Sequence, residues 1–251
     1  MKVSIITVAY NAEETIESCI QNVIKQNYQN IEYLIIDGES TDRTLEIIEK
    51  YKDKIAKVVS EKDNGIYDAM NKGVRESSGD IVGFINADDF FDNENVISEI
   101  VDNFKKNDVD CCYGDILYFD EKDSNKIVRV WRTKNFSKKM FFDGSFPPHP
   151  SFYAKKECYN KYGFYKTDFK IASDFELMLR FMQKNSIKSA YIPKILVKMR
   201  SGGAANKNGA NIITGLKESK ASFKLNGLPY PSLFTLKTLL FRFMQQFLKK
   251  V

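Results

Sequence analysis

The segment Gly79-Asp80-Ile81-Val82-Gly83-Phe84-Ile85-Asn86-Ala87-Asp88-Asp89 leaves a polar turn, passes through an apolar run and ends on two adjacent acids. A short apolar run bounded by turn residues reads as a strand buried on both faces. Upstream, the β-branched run Val3–Ala9, the run Ile31–Ile36 and the run Ile55–Ser60 have the same character. Helical spacing separates them. Ile16, Cys19, Ile20, Val23 and Ile24 recur at such a period, Thr41-Asp42 opens a second helix through Leu45, Ile48 and Tyr51, and Ile66–Ser77 forms a third. Strands alternating with helices predict an α/β chain whose sheet is mostly parallel, Rossmann-like and flanked by helices. Such sheets bind ligands beyond the carboxyl ends of their strands, so the polar residues after each strand are the place to look for chemistry.

From Asp110 the pattern changes. Asp110–Asp120 and Ile127–Arg132 read as two longer antiparallel strands, followed by a Phe-, Gly- and Pro-rich loop from Phe141 to Pro150. Phe175, Met178, Leu179 and Met182 share one face of a helix, and Ser201-Gly202-Gly203 opens a flexible segment. Ile212–Leu225 is helical, and Pro229 and Pro231 separate it from Leu236–Lys250. In that last stretch Leu236, Leu239, Leu240, Phe243 and Phe247 share a face, with Lys237, Arg242, Lys249 and Lys250 supplying positive charge. This is either an interfacial helix on anionic lipid or a helix packed on the domain. The expected division is a core domain over 1–205 and a C-terminal helical extension over 206–251.

The 251 residues carry 43% hydrophobic side chains, which suffices for a sizeable core and argues against wholesale disorder. The formal net charge of +5 fits a phosphate-bearing partner or a solvated basic surface. Basic residues are scattered without a groove-binding motif, so no nucleic-acid partner is expected. Cys19, Cys111, Cys112 and Cys158 form no C-x-x-C pair, which suggests free thiols in a reducing cytoplasm. The start Met1-Lys2-Val3-Ser4-Ile5-Ile6 reads as a strand rather than a signal peptide, and no apolar run reaches the roughly 18 residues of a membrane span.

Four features can carry chemistry. Asp88-Asp89 is tolerable at a strand end if a divalent cation or a donor-rich ligand sits there, although such a pair also caps a helix beginning near Asn93. Asp37, in Asp37-Gly38-Glu39-Ser40-Thr41-Asp42, is placed to accept hydrogen bonds from a base or ribose, while Ser40 or Thr41 caps the next helix. Asp174, at a helix start, would be held ionised by the helix dipole and could serve as a general base; a plain N-terminal helix charge is the alternative. His149 is the single histidine and lies between prolines in Pro147-Pro148-His149-Pro150, where it is a weak candidate for acceptor or diphosphate contact.

Together these segments resemble the family 2 glycosyltransferases, over nearly all of residues 1 to 205. Ser4–Asn11 looks like the family's opening strand and T-x-x-Y-N turn. Ile35–Asp42 is similar to its V-D-D-G-S-T-D segment, with Gly38 in place of the second acid. Glu61-Lys62-Asp63-Asn64-Gly65-Ile66-Tyr67-Asp68-Ala69-Met70-Asn71-Lys72-Gly73 matches a motif of the bacterial O-antigen and capsule branch, and Asn86-Ala87-Asp88-Asp89 resembles the D-x-D element with its first acid replaced.

The resemblance implies a GT-A fold and an inverting transferase that moves a sugar from a nucleotide sugar, a UDP-sugar, to a saccharide acceptor, here a lipid-linked one, in surface-polysaccharide synthesis. It implies a cytoplasmic protein peripheral on the inner face of the membrane. Donor contacts are expected from Thr7, Tyr10, Asn11, Glu13, Asp37, Asp63, Asn71 and Asp88, and a Mn²⁺ or Mg²⁺ ion on Asp89. Asp174 matches the base position, preceded by Ser173 where the family has an acid. Ser201, Gly202 and Gly203 resemble a glycine segment that closes over the diphosphate.

Two other classes compete. A sugar-1-phosphate nucleotidyltransferase would use a similar sheet but needs a Gly-rich phosphate loop after strand one, and no glycine occurs before Gly38. A non-catalytic carbohydrate- or membrane-binding protein of the same fold is the other, against which Asp89 and Asp174 argue.

Overall fold

The structure, a computed structural model, describes residues 1–121, 123, 125–202 and 209–245. The chain opens with β1 (Val3–Ala9), α1 (Ile16–Ile24), β2 (Ile31–Asp37), α2 (Thr44–Glu49), β3 (Lys57–Ser60), α3 (Ile66–Glu76) and β4 (Ile81–Phe84). β1 is central because nothing in it but Val8 tolerates water. It pairs in parallel with β2 on one side, Ile5 opposite Tyr33, and with β4 on the other, Ile5 opposite Gly83. β3 adds in parallel to β2. These four strands with their crossover helices are the alternating pattern of the sequence.

The remainder is mixed. β5 (Phe90–Phe91), α4 (Val96–Asn107), β6 (Cys111–Phe119), β7 (Ile127–Trp131), β8 (Tyr153–Lys155), α5 (Lys156–Tyr162), α6 (Ser173–Met178), β9 (Ser189–Arg200), α7 (Gly209–Leu225) and α8 (Phe234–Gln245) follow. The sheet runs β3-β2-β1-β4-β8-β6-β9-β5, with β7 hung on β6. β8 joins β4 and β6 antiparallel, and β6 runs parallel to β9. β6 and β7 pair antiparallel as expected. After α6 the chain continues as one wider helical stretch, Leu179–Lys184, in which Leu179, Phe181 and Met182 are all buried.

Two cores cover the faces of the sheet. One gathers Ile5, Ile16, Ile20, Ile35, Ile97 and Tyr153; the other gathers Ile6, Leu34, Met70, Phe84, Phe175 and Phe181. The second also takes Phe223 of α7 and Phe234 of α8, so the C-terminal helices share the domain's core. α3 lies close against β1 and β2 because residue 73 is glycine: a Cβ there would stand 2.5 Å from the Ile6 Cγ2. All four cysteines are free and buried.

α8 begins at Phe234 and turns Phe234, Thr238 and Gln245 inward. The stripe Leu236, Leu239, Leu240 and Phe243 faces outward, from 43% to 56% exposed, and Met244 extends it. Phe247, Lys249 and Lys250 lie outside the described residues, as does the expected boundary near 205. Among the described residues no helix is long and apolar enough to cross a membrane.

Candidate active site

The carboxyl ends of β1, β2 and β3 form one end of a cleft. Tyr10, just past β1, is 66% exposed, an aromatic ring with no packing reason to stand in water. Beside it Gly38 follows β2: a Cβ at 38 would meet Asp63 Oδ2 at 2.5 Å and the Tyr10 ring at 3.4 Å. The glycine therefore leaves a slot between an aromatic face and a carboxylate. Asp63 is half-buried and fixed by the Gly65 N–H, which donates to its Oδ1 at 2.8 Å.

Several residues expected to touch the donor are engaged elsewhere. The Thr7 side chain points into the core, its hydroxyl 3.1 Å from the Tyr33 hydroxyl and 3.8 Å from the Cys19 thiol. Asp37 is fully buried and accepts from the Ser40 N–H, the Ser40 hydroxyl and the Ser60 hydroxyl at 3.0, 2.5 and 2.7 Å. It braces the turn after β2 and shows no free face to a base. Asn11, at φ 48°, accepts from the Thr41 N–H at 2.9 Å, and the Ser40 hydroxyl takes its N–H at 2.8 Å. Glu13 accepts from the Arg43 N–H at 3.1 Å. These two clasp the loops after β1 and β2 together. Asn71 is buried and exchanges two 2.9 Å hydrogen bonds with the Tyr165 backbone. Their role is to hold the cleft's walls.

Asp88 and Asp89 follow β4 and differ in exposure. Asp89 is 1% exposed, accepts from Asn86 Nδ2 at 2.8 Å and from the Arg200 N–H at 3.3 Å. Burial, then the neighbouring Asp88 charge, pushes its carboxyl well up. Asp88 is half-buried; burial raises it while Arg200 pulls it down. Arg200 ends β9 and donates from Nη1 to the Glu121 carbonyl at 2.9 Å. Two desolvated neighbouring carboxylates suit a divalent cation. Among the described residues no group of three or more His, Cys, Asp or Glu could hold a metal. The two carboxylates fit a hard ion that would take its remaining oxygens from a diphosphate.

Asp174 sits in the first turn of α6, half-buried. Desolvation outweighs the helix dipole and raises its carboxyl, with His149, the Phe175 N–H and Tyr67 opposing. His149 is buried, 2.7 Å from the Tyr165 hydroxyl and beneath the Phe84 ring. It does not face a ligand. Burial lowers its imidazole, and the Asp174 charge raises it. Ser201 donates its N–H to the Phe119 carbonyl at 2.9 Å and Gly202 takes φ +99°, while Gly203 lies outside the described residues.

Tyr118 lies near the end of β6, with the Arg129 guanidinium over its ring. Burial raises its phenol, and it feels Arg129 most among the charges, then Asp89, Arg242 and Asp174. Sequence reading missed Tyr118, Arg129 and Arg200, although the alternation Val128-Arg129-Val130-Trp131 already placed Arg129 and Trp131 on one face of a strand.

A strand-end cleft with an aromatic slot, a carboxylate pair and an isolated acid is what a GT-A glycosyltransferase presents. The sequence pattern of Glycosyl transferase family 2 matches residues 4–166, and the chain belongs to that family. Among its relatives an uncharacterized glycosyltransferase of Mycobacterium tuberculosis is 32% identical over 184 residues, covering 71% of this chain and 68% of the relative. The Escherichia coli UDP-Glc:alpha-D-GlcNAc-diphosphoundecaprenol beta-1,3-glucosyltransferase WfaP is 35% identical over 101 residues, 39% of each chain. The crystal structure of S. aureus TarS 1-349 in complex with UDP-GlcNAc superposes with a TM-score of 0.71 at 16% identity, over 97% of this chain and 73% of that one. The mannosyltransferase PcManGT of Pyrobaculum calidifontis, in complex with GDP-Man and Mn2+, gives 0.67 at 18%, over 96% and 68%. The family membership closes the nucleotidyltransferase alternative.

Proposed function

We propose that this glycosyltransferase transfers a sugar, with inversion, from a UDP-sugar to a saccharide acceptor, lipid-linked, in bacterial surface-polysaccharide synthesis. The observation that carries the reading is the slot between Tyr10 and Asp63 over Gly38, at the same sheet edge as Asp88. A base stacks on the ring and its N–H is received by the carboxylate. The UDP-sugars named for WfaP and TarS support uridine over other bases. Asp88 would hold Mn²⁺ or Mg²⁺; such an ion, as reported for the PcManGT complex, neutralises charge on a leaving diphosphate.

Asp174 takes the proton from an acceptor hydroxyl. The hydroxyl oxygen bonds to the anomeric carbon from the face opposite the diphosphate, and the bond from that carbon to the diphosphate oxygen breaks. One displacement inverts configuration, so an α-linked donor gives a β-linked product. The raised Asp174 carboxyl makes it a stronger base than an exposed aspartate. Calorimetry with UDP, with and without Mn²⁺, tests the donor reading: ion-dependent binding supports it, and no binding in either condition removes it.

The outward apolar stripe of α8 supports a peripheral contact with an anionic bilayer on the cytoplasmic side, since no Asp or Glu follows Glu218. Sedimentation with phosphatidylglycerol vesicles tests this: Leu240→Glu should abolish pelleting, and equal pelleting of both forms would refute it.

A further inference from the structure

Arg129 on β7 lies with its guanidinium 4.6 Å from the Tyr118 ring centroid and 5.1 Å from that of Trp131. Two aromatic faces hold the group flat. Its Nε is buried and has no hydrogen-bond partner, and the Trp131 Nε1 is in the same condition. Buried donors without acceptors are uncommon in a finished fold and point to an acceptor that arrives with a ligand.

α8 crosses here. Phe241 meets Trp131 edge-on, with centroids 6.5 Å apart. Its neighbour Arg242 stands close enough to Arg129 for the two positive charges to disfavour each other. Among the described residues neither arginine forms an ion pair. Two half-buried guanidinium groups where β7 meets the inward face of α8, without a carboxylate partner among the described residues, are held at a cost that an anion would relieve. Guanidinium forks match phosphate oxygens in pairs.

The location narrows the anion. Trp131 meets Phe146 edge-on with centroids 5.3 Å apart, and Phe146 meets Phe175, the chain neighbour of Asp174, at 5.1 Å, so the pair lies toward the Asp174 end of the site. It belongs to β7 and α8, remote from the nucleotide slot at β1, β2 and β3. On the outer side of Arg242 the residues Leu239, Leu240 and Phe243 form an exposed apolar strip. A phosphate group on the inner side and a hydrocarbon chain on the outer side would each find matching surface.

We propose that Arg129 and Arg242 form the seat for the diphosphate of the acceptor, which carries an apolar chain beyond it. The inference deepens the transferase reading and rests on it for the word acceptor. The seat itself is an anion site separate from the donor's.

The test is calorimetry with inorganic pyrophosphate in excess Mg²⁺, on protein already saturated with UDP. Pyrophosphate should still bind. Arg129→Gln and Arg242→Gln should each weaken it by about tenfold or more, as loss of a charge-assisted hydrogen bond implies, with Arg129→Lys between. Farnesyl diphosphate should bind more tightly than pyrophosphate, and Leu240→Glu should remove that difference. UDP titration of each variant serves as the folding control. Pyrophosphate that UDP displaces, or that binds both Gln variants as it binds the parent, would overturn the seat. If UDP itself fails to bind, the donor reading fails, and pyrophosphate titration of the same variants still decides whether the seat exists.

Discussion

The Tyr67 hydroxyl lies 3.4 Å from Asp174 Oδ1 while donating at 2.7 Å to the Ile171 carbonyl. A phenol has one proton, and the shorter bond takes it. Its contact with the Asp174 carboxylate is therefore the weaker of the two, and it offsets only part of the rise that burial gives the carboxyl. Tyr67 comes from α3, whose Asn71 holds the Tyr165 backbone, whose hydroxyl in turn meets His149. One helix thus sets the wall on which the proposed base stands.

Asp174→Asn should abolish transfer while leaving UDP affinity within about twofold, because the amide keeps the size and loses the basicity. Burial raises the carboxyl, so the fold favours its neutral form, and ionising it costs stability as pH rises through that value. The Asn variant should accordingly melt no lower than the parent at pH 7. The rate of the parent should fall as pH drops through the raised value, at a higher pH than an exposed aspartate would give. A pH–rate profile and a melting curve check both.

Asp88→Asn should lose ion-dependent UDP binding and lower turnover by about 10²–10³, the scale for removing one electrostatic partner of developing charge. Asp89→Asn should do less, because Asp89 is buried against Asn86 and the Arg200 N–H. Mn²⁺ titrations of the two variants separate them, and equal losses would return the ligand role to Asp89.

Gly38→Ala should fold normally and bind UDP about tenfold more weakly. The added methyl would stand 2.5 Å from Asp63 Oδ2, and Asp63 is held on its other oxygen by Gly65. Calorimetry reads the loss, with circular dichroism for the fold.

Arg180→Ala should cost about 3–5 kcal/mol in urea unfolding, the usual penalty for stranding one partner of a buried pair. Arg180 donates to Glu176 at 2.8 Å and to the Tyr162, Gly163 and Phe164 carbonyls, and Glu176 also receives Asn226 at 3.0 Å. Arg180 thereby ties α6 to the turn after α5, while Glu176 reaches the end of α7.

The parallel half of the sheet was legible because β1, β2 and β4 are buried on both faces and are predominantly apolar, broken only by Ser4, Thr7 and Glu32 before the closing Asp37. β9 was not. Pro193 and the lysines Lys194 and Lys198 break its pattern, and its pairing with β6 shifts register after Gly114. β8 has only three residues and no period to read. In the site, residue type and place after a strand marked Tyr10, Asp63, Asp88 and Asp174. They could not show that Asp37 is buried against Ser40 and Ser60, or Asp89 against Asn86 and the Arg200 N–H. Asn11, Glu13 and Asn71 bond to partners about 30 to 94 positions away, a pairing that only the fold creates. Arg129 and Arg242 lie over a hundred positions apart, and only the packing of α8 on β7 brings their elements together.

The central claim is that Asp174 is the base of a UDP-sugar transferase. The most direct measurement is UDP release from a panel of UDP-sugars in Mn²⁺, for the parent and Asp174→Asn, with UDP affinity measured on both. The account predicts ion-dependent release by the parent, none by the variant, and matching affinities. Release by Asp174→Asn at the parent's rate would contradict it.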